Sequence, residues 1–141
     1  MVVIAIIAIL ASLLLPVLSR AKDRAQSAID FNNTRQIMLA TQLYCGDHDE
    51  YLPHPTWGVA RTDPDGWAYG TALMSKSAGA TTAAKLEAQL SNQVEAFKAG
   101  QLATYLGNAH KTLICPKDAT ESAGSKKALY LQRPVKITSY V

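Results

Sequence analysis

The hydrophobic pattern changes character once along the chain, near Ser19. From Met1 to Leu18 no side chain is charged, and the run from Val2 to Leu18 is apolar on every helical face. A helix packed on a soluble core has an apolar stripe and a polar back, whereas an all-round apolar helix belongs in a bilayer or deep inside a large protein. A chain of 141 residues has no interior deep enough to hide such a rod. Its seventeen helical residues span roughly 26 Å, slightly less than the about 30 Å of a hydrocarbon core. The pattern therefore predicts a helix completed upstream of Met1. A removable signal peptide fits poorly, because the start lacks Lys and Arg and Ser19-Arg20-Ala21 is a weak cleavage site.

Past Ser19 the helix is expected to continue as an amphipathic one. Ala21, Ala25, Ala28, Ile29, Ile37, Ala40, Leu43 and Tyr44 recur mostly three, four or seven apart, and are assigned to the face that packs on a globular part. Lys22, Gln26, Asp30, Asn33 and Gln42 fall on the opposite face. Pro16 removes one backbone hydrogen bond, which a bilayer or bundle tolerates. The small residues Ala5, Ala8, Ala11 and Ser12 lie at near-helical spacing and would let neighbouring helices approach closely. With Pro16 they form the expected helix-packing set. Gly46, in Cys45-Gly46-Asp47, suits a left-handed cap that ends the helix.

The next stretch is rich in turn formers (Pro53, Pro55, Gly58, Asp63-Pro64-Asp65-Gly66, Gly70) with Trp57, Trp67 and Tyr69 as anchors, so it reads as a long ordered loop. Residues 83–99 predict a second helix, with Leu86, Leu90, Val94 and Phe97 on one face and Lys85, Glu87, Gln89 and Glu95 among the polar positions. Gly100 interrupts it, a short turn ends at Gly107-Asn108, and residues 112–115 and 135–141 are candidate strands. The fold class expected is α+β: a long N-terminal helix, apolar then amphipathic, packed on a small globular domain with a second helix and a short antiparallel sheet. Residues 1–19 form the membrane or filament-core half, and residues 20–141 the globular part, which is expected to continue past Val141.

Composition narrows the chemistry. The net charge of +3 is small and the basic residues are scattered, so no stripe for nucleic acid is present and no nucleic-acid partner is expected. Asp47, Asp49 and Glu50 are the candidate Ca²⁺ oxygens, yet Leu52 and Pro53 stand where an EF-hand loop needs Gly and further oxygens. A solvated helix end is the better reading, and Asp63 and Asp65 are turn residues first. His48, His54 and His110 lack metal-ligand spacing with Cys45 or Cys115, and no oxyanion loop or third group accompanies Cys115 and His110. No catalytic residue, metal or cofactor is assigned, and the chain is not expected to be an enzyme. In an exported domain Cys45 and Cys115 are a candidate disulfide, closing a loop of about seventy residues worth about 4 kcal/mol in the chain-entropy picture. Whether they lie close enough is left to the fold.

Val2 to Pro16, followed by Ala21-Lys22 and Asn32-Asn33-Thr34-Arg35-Gln36-Ile37, resembles the N-terminal helix of type IV pilins and type II secretion pseudopilins. Tyr44 with Asp47 and Pro53, then Gly100, Leu102 and Tyr105, Cys115-Pro116 with Asp118, and Ser139-Tyr140 extend the likeness in order. In that family a basic leader ends in Gly, and a Phe-Thr-Leu-Ile-Glu-Leu start precedes the string found here from Val2. Those elements fall before Met1, so no residue here is assigned to processing or methylation; a late start codon or a fragment is expected. The resemblance implies a structural filament subunit with three classes of partner: copies of itself, inner-membrane lipid, and secretion or pilus assembly machinery. It implies a single pass through the bacterial inner membrane with the globular part outside. Arg20, Lys22 and Arg24 argue for the opposite orientation by the positive-inside rule; the resemblance governs, because the competing basic leader falls before Met1. The alternative is a monomeric membrane-anchored binding module, with Trp57, Trp67 and Tyr69 as its ligand surface.

Overall fold

The computed structural model describes residues 2–55, 64–74, 83–121, 124, 127–133 and 135–140. Helix α1, Val2–Asp47, runs unbroken for 46 residues with Pro16 inside it, about 69 Å at the usual rise. It is long and apolar enough to cross a membrane, and its most apolar stretch is buried nowhere in the molecule. Val2 is 73% exposed and even Ile6, among the more covered, is 52% exposed.

The helix stops later than the sequence predicts, and by a different residue. Gly46 lies within α1, and the left-handed residues are Asp49 (φ 50°) and Glu50 (φ 63°). The Glu50 N–H donates to the Cys45 carbonyl at 2.9 Å, the six-to-one bond of a Schellman-type end with Asp49 at the left-handed position. Aspartate is one of the few side chains that tolerates that conformation. His48 stacks on Tyr44, ring centroids 3.9 Å apart, and finishes the last turn.

The remaining elements are short: α2 (Thr71–Met74), α3 (Ala83–Lys98), a 3₁₀ turn (His110–Leu113), α4 (Pro116–Glu121) and α5 (Lys127–Gln132). The expected sheet is not formed, and there is no strand among the described residues. Residues 112–115, expected as one strand, are drawn into the 3₁₀ turn, where the Thr112 and Ile114 N–H groups donate locally to Ala109 and Lys111. Residues 135–140 run beside them but exchange a single backbone bond, Ser139 N–H to the Leu113 carbonyl at 2.8 Å. Side chains take the other groups: Cys115 N–H donates to Ser139 Oγ, Lys136 N–H to Gln93 Oε1, and Arg133 Nη2 to the Thr138 carbonyl. With donors and acceptors spent this way, no ladder is left to build.

The core lies between α1 and α3. Ala68, Tyr69, Ala96, Phe97, Ala103, Leu113 and Ile137 form its centre, and Ala40, Tyr44 and Leu102 join it to α1 through Ile37, Trp67 and Leu106. Residues 66–70 cross the end of α3, bonding Gly70 N–H to the Ala96 carbonyl and accepting from Gln101 and Leu102 N–H. Gly100 permits this crossing. A Cβ there would stand 2.8 Å from Tyr69 N and 2.9 Å from Ala68 C. Gln89, expected on the polar face of α3, is instead buried with Gln93, because both serve the buried Lys136.

Candidate functional site

Beyond the apolar half, α1 has two faces of different fate. Gln26, Asp30, Asn33, Ile37, Ala40 and Tyr44, alternately four and three apart, form the face turned to the domain. Its lower part is polar and specific. Tyr140 donates its hydroxyl to Asp30 Oδ1 at 2.5 Å, and Asn33 Nδ2 donates to the Ile114 carbonyl at 3.3 Å. Its upper part is apolar: Ala40 is buried, Tyr44 meets Tyr105 edge-on at 5.8 Å, and Tyr105 donates its hydroxyl to Asp47 Oδ2 at 2.9 Å. Burial, aided by the bond to Asp30, pushes the Tyr140 phenol up to about 12, so it stays a donor at any physiological pH.

The other face is bare and mixes apolar with polar side chains. Phe31 is 76% exposed and Met38 60%, with Leu39 and Leu43 half or more exposed beside them. Phe31, Thr34, Arg35, Met38, Leu39 and Gln42 line a shallow groove along it. The sequence-based stripe therefore needs correction. Ile37, Ala40 and Tyr44 do face the domain, but Ala21, Ala25, Ala28, Ile29 and Leu43 are exposed. An alanine-rich stripe predicts contact by hydrophobicity alone. Here the contact is decided by where the domain can offer partners to Asp30 and Asn33, so the seam rotates towards those polar residues. Phe31 and Met38 escaped notice because they stand among polar neighbours, although their spacing of seven carries the helical signal.

The helix-packing set lies on the lipid-length half. Ala8, Ser12 and Pro16 are exposed, Ala11 is half-buried, and the side chain of Ala5 lies outside the described ones. Ser12 returns its hydroxyl to the Ile9 carbonyl at 2.7 Å, so it presents little free polarity to its surroundings.

The two cysteines are free thiols. Cys115 lines a polar cleft with Asp23, Gln26, Ser27, Asp30 and Lys117 on one flank of α1. Cys45 is twelve residues beyond Asn33, the partner of Ile114, roughly 18 Å along the axis. A disulfide needs Cα atoms within about 7 Å, so the candidate pairing is not available within one subunit. Nor do Cys115 and His110 meet, since His110 lines a different cavity with Leu90 and Val94.

Of the Ca²⁺ candidates, Asp47 is engaged by Tyr105, while Asp49 and Glu50 occupy the helix end. No group of three His, Cys, Asp or Glu among the described residues is arranged to hold a metal. Among the described residues, Tyr69 and Trp67 do not form the exposed aromatic surface expected of a binding module. Tyr69 is in the core, Trp67 packs half-buried against both core clusters, and Trp57 and Asp63 lie outside the described residues. The chain matches no protein-family model, no curated protein and no solved structure.

Proposed function

We propose that the chain is a structural subunit of a filament of the type IV pilus or type II secretion pseudopilus kind. In this reading residues 2–18 hold it in the bacterial inner membrane, with the globular part on the outer side, until secretion or pilus assembly machinery packs it among copies of itself. One observation carries the reading: past the lipid-length segment and its basic residues Arg20 and Arg24, α1 still exposes Phe31, Met38, Leu39 and Leu43 on the side away from the domain. A helix serving only as an anchor needs apolar surface inside the bilayer and nowhere else. Apolar residues kept exposed on the watery stretch, opposite the face covered by the domain, are what a helix needs when other helices will cover it. The N-terminal string from Val2 supports the same assignment by resemblance, although the sheet expected with it is not present among the described residues.

The small residues set the closeness of packing, because in lipid the gain comes from dispersion and shape rather than from expulsion of water. Ala8→Leu with Ala11→Leu should abolish incorporation into filaments sheared from cells while membrane retention stays complete. Phe31→Glu with Met38→Glu should do the same from the watery half. Assembly that survives both pairs, or a native chain that never enters filaments, would favour a solitary anchored module.

A further inference from the structure

A cavity of about 220 Å³ lies between α3, the 3₁₀ turn, α4 and α5. Leu90, Val94, Ile114 and Ile137 make its apolar walls, and Asp118, His110 and Tyr130 supply its polar edge. Asp118 is already satisfied: its carboxylate accepts Arg133 Nη1 at 2.9 and 2.7 Å and Ser139 Oγ at 2.7 Å. His110 and Tyr130 differ. Their contacts among the described residues are ring contacts, with Phe97 and with the Arg133 guanidinium, and no hydrogen bond reaches the imidazole nitrogens or the phenol oxygen.

The chemistry selects an occupant. Burial first, then Lys111 and Lys98, pulls the His110 pKa down and favours the neutral imidazole, which offers one donor and one acceptor. The charge of Asp118 is spent on Arg133, so the cavity has no unmatched charge to bind an ion. An apolar cavity of about 150 Å³ accepts benzene, and scaling by volume gives room for about nine non-hydrogen atoms. We propose that the cavity binds an uncharged aromatic molecule of the size of indole, its ring against Leu90, Val94, Ile114 and Ile137 and its single polar group bonded at His110 or Tyr130. Such a site makes the domain a receptor for a small aromatic metabolite, independently of whether the chain enters a filament.

The test uses the full chain in detergent micelles with indole as the probe, read by chemical shifts of methyl groups on Leu90, Val94 and Ile137. Those shifts should saturate with indole. Ala119 is exposed at the cavity rim, so Ala119→Phe should close it without disturbing the core and weaken binding at least tenfold; circular dichroism verifies the fold. Indole has one N–H to donate, so one of Tyr130→Phe and His110→Phe should weaken it about fivefold, the effect of one lost hydrogen bond, while both leave toluene unchanged because it has no polar group to lose. Partition into micelles alone would leave the methyl shifts unsaturated and overturn the proposal. So would wild-type affinity in folded Ala119→Phe, or indole affinity unchanged in both polar variants. If Ala119→Phe does not fold, the contrast of indole with toluene in Tyr130→Phe and His110→Phe together decides.

Discussion

Two glycines in this chain have opposite meanings, and only their surroundings tell them apart. A Cβ on Gly100 would press on Tyr69 N, Ala68 C and Phe97 O at 2.8–3.0 Å, all of them backbone atoms that cannot swing away. Gly100→Ala should cost about 1–3 kcal/mol, as overpacking does. A Cβ on Gly46 meets nothing within 4 Å, and the residue lies inside α1, so Gly46→Ala should gain about 0.5–1 kcal/mol from helix propensity. Thermal unfolding of the full chain in micelles, followed by circular dichroism, separates the two signs. The sequence marks both as breakers. It does not say that the helix passes through one and that a second segment crosses directly over the other.

Between elements, side chains do the work that a sheet would have done. The tail 135–140 is held by Asp118 of α4, which accepts from Arg133 and from Ser139, and by Tyr140, which reaches Asp30 of α1. Asp118→Ala should destabilise the domain by about 1–3 kcal/mol, because Arg133 and Ser139 lose a charge-assisted acceptor together. Hydrogen exchange should quicken first at residues 135–140, and uniform exchange across the domain would contradict the stapling role. Tyr140 makes a pH prediction with a definite sign. Its folded pKa of about 12 exceeds the value of about 10 for an unfolded tyrosine. The fold thus favours the protonated phenol. Its contribution is whole below pH about 10 and is lost as pH rises towards 12. Phenolate absorbance should show a component titrating near pH 12, and Tyr140→Phe should remove it together with the associated alkaline loss of stability. The sequence predicts strands at 112–115 and 135–141 because β-branched residues within both raise strand propensity, while the competition from Ser139, Gln93 and Arg133 side chains depends on the packed fold.

For the whole molecule, the controlling fact is a 46-residue helix covered by its own domain along part of one face. The rest of that helix is exposed, and in the proposed reading lipid and neighbouring subunits cover it. The full chain should therefore resist extraction from membranes by alkaline carbonate, require detergent to remain monodisperse, and sediment as aggregates when detergent is withdrawn. A chain that stayed monomeric without detergent would remove the basis of both the membrane and the filament readings. The domain end of the molecule is built differently. Its buried Lys136 has Gln89 and the Arg133 carbonyl as partners for its ammonium, and burial lowers its pKa, which ties α3 to the tail through polar bonds.

From sequence alone came the long helix, its change from apolar to amphipathic near Ser19, and the second helix with its break at Gly100. Each follows from periodicity and composition within a short window, where hydrophobic transfer and backbone propensity act locally. The separation of Cys45 from Cys115, the seam at Asp30 and Asn33, the bare face at Phe31 and Met38, and the cavity at His110 and Tyr130 were decided by tertiary structure. They depend on which distant groups satisfy one another's hydrogen bonds, and that is a property of the packed arrangement rather than of any segment.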